Sequence, residues 1–238
     1  MTVWAIADLH LSLARPNARE RYAGRWRDHV ETIAREWRRV VASDDLVLVP
    51  GDISMARNHR DLQPDLVWLD RLPGTKVLAP GNHDVWWNGV ERVRPLLRRS
   101  LMAVGGDAVS VRGIIVCGAR GAPVLGDDPT PAERAELDRE TACLDQALSS
   151  AARLRTGNEP VYVLWHYPPF DQHLRPGPCV ARFEKSGITA CVYGHLHIQG
   201  QWSLATQGEV RGVRYACVAA DAIGFRPLRV SEPLPRAS

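Results

Sequence analysis

The 238-residue sequence predicts an α/β fold built on mixed β-sheets. Apolar strand-like runs alternate with amphipathic helical segments through the first half, which indicates parallel strands. Short apolar runs separated by turn residues fill the end of the chain, which indicates antiparallel pairing. The composition, 45% hydrophobic and 24% charged, is that of globular proteins. No linker-like or repetitive stretch divides the sequence, so we expect one domain over residues 1–238.

The first half contains three predicted helices. The first has apolar side chains at helical spacing, namely Trp26, Val30, Ile33, Trp37, Val40 and Val41. The second runs from Leu62 to Leu72, and Gly74 ends it. The third runs from about Asn88 to Arg99, and Pro95 is expected to shorten or kink it.

The second half predicts a hairpin, one long helix and a closing set of strands. Apolar runs from Ala103 to Val111 and from Ile114 to Cys117 indicate the hairpin. A capping box that starts at Thr130 begins the helix. Residues Gln201 to Val230 read as an antiparallel finish without a helix of useful length, and Glu232 to Ser238 are expected to fray.

Five polar patches each stand where an apolar run ends. They are Asp8-Leu9-His10, Gly51-Asp52, Gly81-Asn82-His83-Asp84, His166 and Tyr193-Gly194-His195-Leu196-His197. Residues two apart on an extended chain face the same side, so the first and last patches can each direct two side chains to one point. The glycine before a ligand suits a positive φ or a close backbone approach.

The residue types in these patches indicate a metal centre. Carboxylate, imidazole and amide groups together suit manganese, iron or zinc, whereas an all-oxygen set would indicate magnesium or calcium. Two ions about 3.5–4 Å apart suit phosphate chemistry, because they activate water and bind both the attacking and the leaving oxygen. One carboxylate must then bridge the ions, and Asp52 is the candidate.

The ordered series D-x-H, G-D, G-N-H-D, H and G-H-x-H, from Asp8 to His197, resembles the calcineurin-like metallophosphoesterase superfamily in its phosphohydrolase branch. The resemblance implies two mixed β-sheets packed as a sandwich with helices outside, which makes four layers. It also implies two divalent metal ions, with Mn²⁺ first and iron or zinc as alternatives.

The resemblance further implies a role for each motif residue. The first ion would be held by Asp8, His10 and His197. The second would be held by Asn82, His166 and His195, and Asp52 would bridge both. His83 would stabilise charge on the phosphate or act as general acid, and Asp84 would hydrogen-bond to it and orient its ring.

Two further residues are candidate substrate contacts. Arg120 lies in a glycine-flanked loop after a strand, where its guanidinium can bind phosphate through two hydrogen bonds. Trp86 follows the third patch, where its ring either walls the pocket or packs at a helix start. Asp221, His59 and His173 receive no role from the sequence.

These observations predict a metal-dependent phosphohydrolase, a phosphomonoesterase or phosphodiesterase, in which metal-bound hydroxide attacks a small phosphorylated substrate. The segment from Gly51 to Ser54 lacks the extension typical of the serine/threonine protein phosphatases. A nuclease acting on DNA or RNA is the alternative enzyme, although a net charge of +3 does not by itself indicate nucleic acid. A non-catalytic interaction scaffold is the alternative outside enzymes.

The sequence also predicts a cytoplasmic location. It contains no run of eighteen apolar residues and no signal-peptide pattern, so no membrane association is expected. Five cysteines without a C-x-x-C pair do not form a disulfide framework. The natural substrate, the preference for monoesters or diesters and the oligomeric state stay open.

Overall fold

The computed structural model describes residues 1–15 and 24–231, and these residues form two mixed β-sheets. The predicted fraying of Glu232 to Ser238 lies outside the described residues. The first sheet has the spatial order β11 (Leu228–Arg229), β1 (Val3–Ala5), β2 (Leu46–Pro50), β3 (Thr75–Ala79) and β4 (Leu101–Ala103). β1 to β4 are parallel, and β11 is antiparallel to β1.

The second sheet has the spatial order β5 (Asp107–Val111), β6 (Ile114–Ala119), β7 (Val161–Trp165), β8 (Ala190–Tyr193), β10 (Val213–Cys217) and β9 (Gly208–Val210). The predicted hairpin is confirmed as β5–β6. The predicted antiparallel finish is confirmed for β9 with β10 and for β11 with β1. It is wrong for β10 and β8, which are parallel. Parallel neighbours need a connection of a dozen or more residues, and residues 194–212 supply it.

Six α-helices connect the strands in the described ranges. They are α1 (His29–Val40), α2 (His59–Asp70), α3 (Val90–Val93), α4 (Pro131–Leu154), α5 (Pro178–Ser186) and α6 (Gln199–Trp202). The third predicted helix continues only as a 3₁₀ turn beyond Val93, because Pro95 has no N–H to donate. The capping box of α4 is confirmed: Thr130 N donates to Glu133 Oε2 at 2.7 Å, and Glu133 N donates to Thr130 Oγ1 at 3.3 Å.

α5 is a helix that the sequence patterns did not predict. Pro178 occupies its first turn, and Gly187 ends it in the left-handed conformation. Proline at the start and glycine just past the end are the expected signals for so short a helix. None of the helices in residues 1–15 and 24–231 is both long and apolar enough to cross a membrane. The five cysteines are all free thiols.

Three layers of buried side chains hold the architecture together. α1 and α2 cover the outer face of the first sheet, where Trp37 and Leu66 pack with Val47. α4 and α5 cover the outer face of the second sheet in the same way. Between the sheets, side chains such as Leu48 and Leu164 form a shared core. The predicted four-layer sandwich of two mixed sheets is therefore confirmed. Central strands buried on both faces also explain why they read as unbroken apolar runs.

Candidate metal centre

The five polar patches lie at the C-terminal ends of parallel strands. β1, β2 and β3 of the first sheet lead into the first three patches, and β7 and β8 of the second sheet lead into the last two. Because the two sheets pack face to face, these strand ends meet along one edge of the sandwich. The packing therefore brings together side chains as far apart in sequence as those of Asp8 and His197.

One group of side chains collects beside β1. Asp8, His10, Asp52 and His197 each offer one ligand atom, and these four atoms lie within 4.8 Å of one another. His10 Nε2 lies 3.3 Å from His197 Nε2, which in turn lies 3.5 Å from Asp8 Oδ1. Two imidazoles and two carboxylates at this spacing match the geometry of a divalent metal site.

A second group collects beside β7. Asn82 Oδ1 lies 2.8 Å from His166 Nε2 and 3.0 Å from His195 Nδ1, and the two imidazole nitrogens are 3.3 Å apart. His166 is fully buried, whereas Asn82 and His195 are half-buried. The three atoms converge on one point, as metal ligands do.

Asp52 stands between the two groups. Its Oδ2 lies 3.5 Å from His166 Nε2 and 3.8 Å from His10 Nε2, while its Oδ1 accepts a hydrogen bond from His83 N at 2.8 Å. Oδ2 is buried and accepts no hydrogen bond within residues 1–15 and 24–231. A buried carboxylate oxygen without a donor is costly unless a cation compensates it. The residues present therefore fit a pair of divalent ions.

The charges of the site agree with that fit. Burial, reinforced by the carboxylates of Asp84 and Asp8, raises the pKa of Asp52 to about 8. Burial lowers the pKa of His10 to about 3 and that of His166 to about 4. These imidazoles are therefore neutral at physiological pH, and a neutral imidazole is the form that binds a metal ion.

Asp221 is a residue of the site to which no sequence motif assigned a role. It is buried, and its Oδ1 lies 3.1 Å from His197 Nδ1, so Nε2 of that ring points to the first group. A bridge between Ala7 and Ala219 joins the ends of β1 and β10 and carries Asp221 to this edge. The available signal was its position after an apolar run, the same position that marks the five patches.

Neighbouring polar groups also orient His166 and charge His197. His166 Nδ1 lies 3.0 Å from Pro50 O, which leaves Nε2 free to face Asn82. Burial alone would lower the pKa of His197, but its contacts with Asp221 and Asp8 outweigh burial and raise that pKa to about 10. The carboxylates of Asp221 and Asp8 thus favour a positive charge at this position, either a proton on His197 or a metal ion that displaces this proton. Such partners orient ligands and strengthen metal binding.

The backbone around the groups is unusually constrained. Four of the clustered residues have positive φ, with values of 60° at Asp8, 43° at His10, 52° at Asp52 and 75° at His195. Non-glycine residues in this region carry conformational strain, which is common at functional sites. A Cβ at Gly194 would lie 2.3 Å from Asp8 Oδ2. The expected close approach at this glycine is therefore confirmed.

His83 lies beside both groups without joining either one. Its side chain is 51% exposed, and its Nε2 is 4.0 Å from Asp52 Oδ2. Its ring also packs edge-on against the ring of His10 at 5.5 Å between centroids. A half-exposed imidazole at the mouth of the site is free to contact a bound phosphoester.

Asp84 does not orient the His83 ring, contrary to the prediction. Its buried carboxylate accepts hydrogen bonds from the backbone N–H groups of Ile53, Ser54 and Gly81 and from the Trp86 indole. It bonds to no side-chain atom of His83 within the described part of the chain. Asp84 instead ties the loop after β2 to the loop after β3, and thereby holds Asp52 and Asn82 in register.

Trp86 is not a substrate contact, so the expectation that its ring walls the pocket is wrong. The side chain is 1% exposed, and its indole N–H lies 3.1 Å from Asp84 Oδ1 and 3.2 Å from Ser54 O. A buried indole needs a hydrogen-bond partner, and the buried carboxylate supplies it. Packing therefore decides the role of this tryptophan.

Arg120 lies near the second group, but its charge is already paired. Its guanidinium lies 2.7 Å from Glu136 Oε1 and 3.0 Å from Glu140 Oε1, both on α4. It lines a cavity of about 320 Å³ together with Asn82.

The two histidines without an assigned role lie elsewhere. His59 begins α2, and the exposed His173 lies beside Gln172.

Comparison with known proteins agrees with this arrangement. A family model described as calcineurin-like phosphoesterase matches residues 1–199. The Gene 66 protein of Mycobacterium phage L5 is 36% identical over 81 residues, which cover 34% of this chain and 39% of the phage protein. The Gene 66 protein of Mycobacterium phage D29 is 30% identical over 123 residues, which cover 46% of this chain and 60% of the phage protein. The chain thus spans less than two thirds of either curated relative.

A solved structure shares the fold over the full length. Phosphopantetheinyl hydrolase (PptH) from Mycobacterium tuberculosis aligns with 100% of this chain and 98% of its own, with a TM-score of 0.58 and 18% sequence identity. An identity this low shows a common fold and no more. The family model covers most of the chain, and the motifs that it spans are those that meet at the edge of the sandwich. The chain therefore belongs to the calcineurin-like phosphoesterase family.

Proposed function

We propose that the protein hydrolyses a small phosphoester with two divalent metal ions. The first ion would be held by Asp8, His10 and His197, and the second by Asn82, His166 and His195. Asp52 would bridge them. The observation that carries this proposal is the position of Asp52 Oδ2, which is buried between the two groups without a hydrogen-bond donor in the described ranges.

The ions, when bound, supply Lewis acidity that lowers the pKa of water and stabilises charge on the phosphoryl oxygens. The protein side chains do the rest. Asp221 and Pro50 O set the orientation of His197 and His166, so each ring presents Nε2. His83 stands at the exposed side of the centre, where its imidazole can donate a proton to the leaving oxygen.

The donor set supports manganese, with iron or zinc as alternatives. It contains imidazole nitrogens, carboxylate oxygens and one amide oxygen, and it contains no thiolate. The carboxylate and amide oxygens suit manganese and the imidazoles suit iron or zinc, whereas thiolates would favour zinc or copper. We therefore use Mn²⁺ as the test ion.

The test is metal content and activity after removal and return of metal. Wild-type protein is expected to regain close to two Mn²⁺ ions and to hydrolyse p-nitrophenyl phosphate or its diester, with no activity under chelator. Asp52→Asn should weaken both sites, because the bridging carboxylate offsets the repulsion between the cations. Retention of full metal content and full activity by Asp52→Asn would refute the bridging role.

Single-site variants provide the matched comparison. His10→Ala should lose only the first ion, and His195→Ala should lose only the second. Single-stranded DNA assayed beside the small esters separates a nuclease from a small-molecule hydrolase. Two bound ions with no hydrolysis of any substrate would favour the non-catalytic scaffold instead.

A further inference from the structure

A cavity of about 390 Å³ opens next to His195. Its walls come from three loops that follow β6, β7 and β8, which are neighbouring parallel strands of the second sheet. Ligands of open α/β sheets bind outside the C-terminal ends of such strands. Its volume lies within the range of about 300–1,000 Å³ that is common for small-molecule sites.

Tyr167 connects this cavity to the metal centre. It lines the cavity, and its ring centroid lies 4.4 Å from that of His195 and 5.4 Å from that of His166. Because His195 also lines the cavity, the cavity lies directly beside the second group of the metal centre.

Hydrogen bonds hold the walls of the cavity in place. Tyr193 Oη donates to Thr206 O at 2.8 Å, and Trp202 Nε1 donates to Leu196 O at 3.0 Å. Across the cavity, Gly177 N donates to Pro169 O at 2.8 Å. The first bond ties the loop after β8 to the second sheet, and the other two brace the loops after β8 and β7 internally.

Apolar side chains form the larger part of the lining, beside the polar Gln172, Gln201 and Thr206. The large apolar and aromatic side chains of the lining are Val124, Leu125, Tyr167, Phe170, Leu196 and Leu204. Leu204 is 50% exposed, so it offers apolar surface to a ligand without supporting the core. Apolar surface of this kind binds organic groups by removing them from water.

The charged side chains of the lining compensate each other. Arg175 Nε lies 2.6 Å from Asp171 Oδ2, and Arg175 Nη1 lies 3.1 Å from Asp127 Oδ1. A nucleic-acid strand needs cationic groups along its phosphates. A cavity whose arginine is already paired with two carboxylates does not provide them.

We propose that this cavity binds the organic group of the substrate, and that this group is uncharged and mainly apolar. The substrate class is therefore a phosphoester of a small, neutral organic alcohol rather than a polynucleotide. This inference rests on the proposed function, because it requires the phosphate to lie at the metal centre.

The test compares three esters with Mn²⁺-loaded full-length protein: methyl phosphate, n-hexyl phosphate and the phosphate ester of ω-hydroxyhexanoate. Each is offered as the monoester and as its methyl diester. We expect kcat/KM for the hexyl ester to exceed that for the methyl ester by about tenfold or more, since apolar pockets discriminate in steps of about 10–200-fold. The added carboxylate should remove most of this gain, because an unpaired charge is costly in apolar surroundings.

Leu204→Asp and Leu154→Asp form a matched pair of variants. Both leucines are exposed, at 50% and 40%, but Leu154 lies at the end of α4 and does not line the cavity. Leu204→Asp should raise KM for the hexyl ester by about tenfold relative to the methyl ester, with kcat little changed, as loss of ground-state binding requires. Leu154→Asp should match the wild type.

Equal kcat/KM for the methyl and hexyl esters would overturn the proposal, as would equal effects of the two leucine variants. Binding of hexan-1-ol, followed by nuclear magnetic resonance on wild type and Leu204→Asp, tests the cavity without any reaction. If no ester were hydrolysed, the proposed function would fail. Hexan-1-ol binding that is lost in Leu204→Asp would still support the cavity, and its absence from the wild type would reject it.

Discussion

Gly194→Ala should remove the first metal site while leaving the second in place. The new Cβ would lie 2.3 Å from Asp8 Oδ2 and 2.6 Å from Ala7 Cβ, whereas ordinary contact begins at 3.4 Å. The carboxylate of Asp8 must therefore move by roughly 1 Å, away from the N–H of His195 that now lies 3.0 Å from its Oδ2.

The size of the effect follows from that displacement. Overpacking of a buried contact costs about 1–3 kcal/mol in the free energy of unfolding. A misplacement of about 1 Å at a reacting centre costs about 10²-fold in activity. We therefore expect Gly194→Ala to fold with a lower thermal midpoint, to bind one Mn²⁺ tightly and to lose about two orders of magnitude in kcat/KM.

Gly200→Ala is the control, since its Cβ meets no atom within 4 Å and the residue lies six positions along the same segment on α6. Calorimetric titration of metal-free protein with Mn²⁺ measures the two sites, and thermal unfolding measures the stability of each variant. A Gly194→Ala protein with two tight sites and wild-type kcat/KM would refute the reasoning. So would an equal loss in Gly200→Ala.

Three further predictions follow from single side chains. Asp221→Asn should weaken Mn²⁺ at the first site by about 10–100-fold in a calorimetric titration, since the amide no longer supports the His197 ring as a carboxylate does; an unchanged affinity would dismiss Asp221 as a positioning residue. His83→Ala should keep both ions yet slow esters of poorly acidic alcohols by about 10²–10⁴-fold, with a smaller loss on p-nitrophenyl esters; equal losses would assign His83 to charge stabilisation. Burial lowers the pKa of Lys76 from 10.5 to about 8, so the unfolded chain keeps its proton to higher pH than the folded protein does. The free energy of unfolding of the wild type should thus increase between about pH 8 and about pH 10.5. Urea unfolding of Lys76→Met should lack this increase, and parallel pH profiles for the two proteins would contradict the prediction.

The sequence by itself determined the fold class and the family, because both depend on local patterns in order along the chain. Apolar runs define strands whatever their partners are, and helical spacing defines α1, α2 and α4 from a few residues each. The ordered motifs from Asp8 to His197 indicated the family that the family model matches. The short spacing inside each motif also indicated which side chains point the same way.

Only the tertiary structure decided which distant groups meet. Asp221 reaches His197 because β10 lies parallel to β8, a pairing that the local sequence did not reveal. Asp84 bonds to the loops after β2 and β3 rather than to its neighbour His83, and this choice depends on which backbone N–H groups the two loops expose.

Packing also determined the partners of Trp86 and Arg120, the two candidate substrate contacts. Trp86 is buried because the loop around it folds onto the first core, and Arg120 is paired because α4 presents Glu136 and Glu140 beside it. Local sequence sets the end of each strand and the direction of the side chains that follow it. Which face they meet is set by the packing of two sheets whose contacts join residues far apart in the chain, and no short stretch of sequence contains that information.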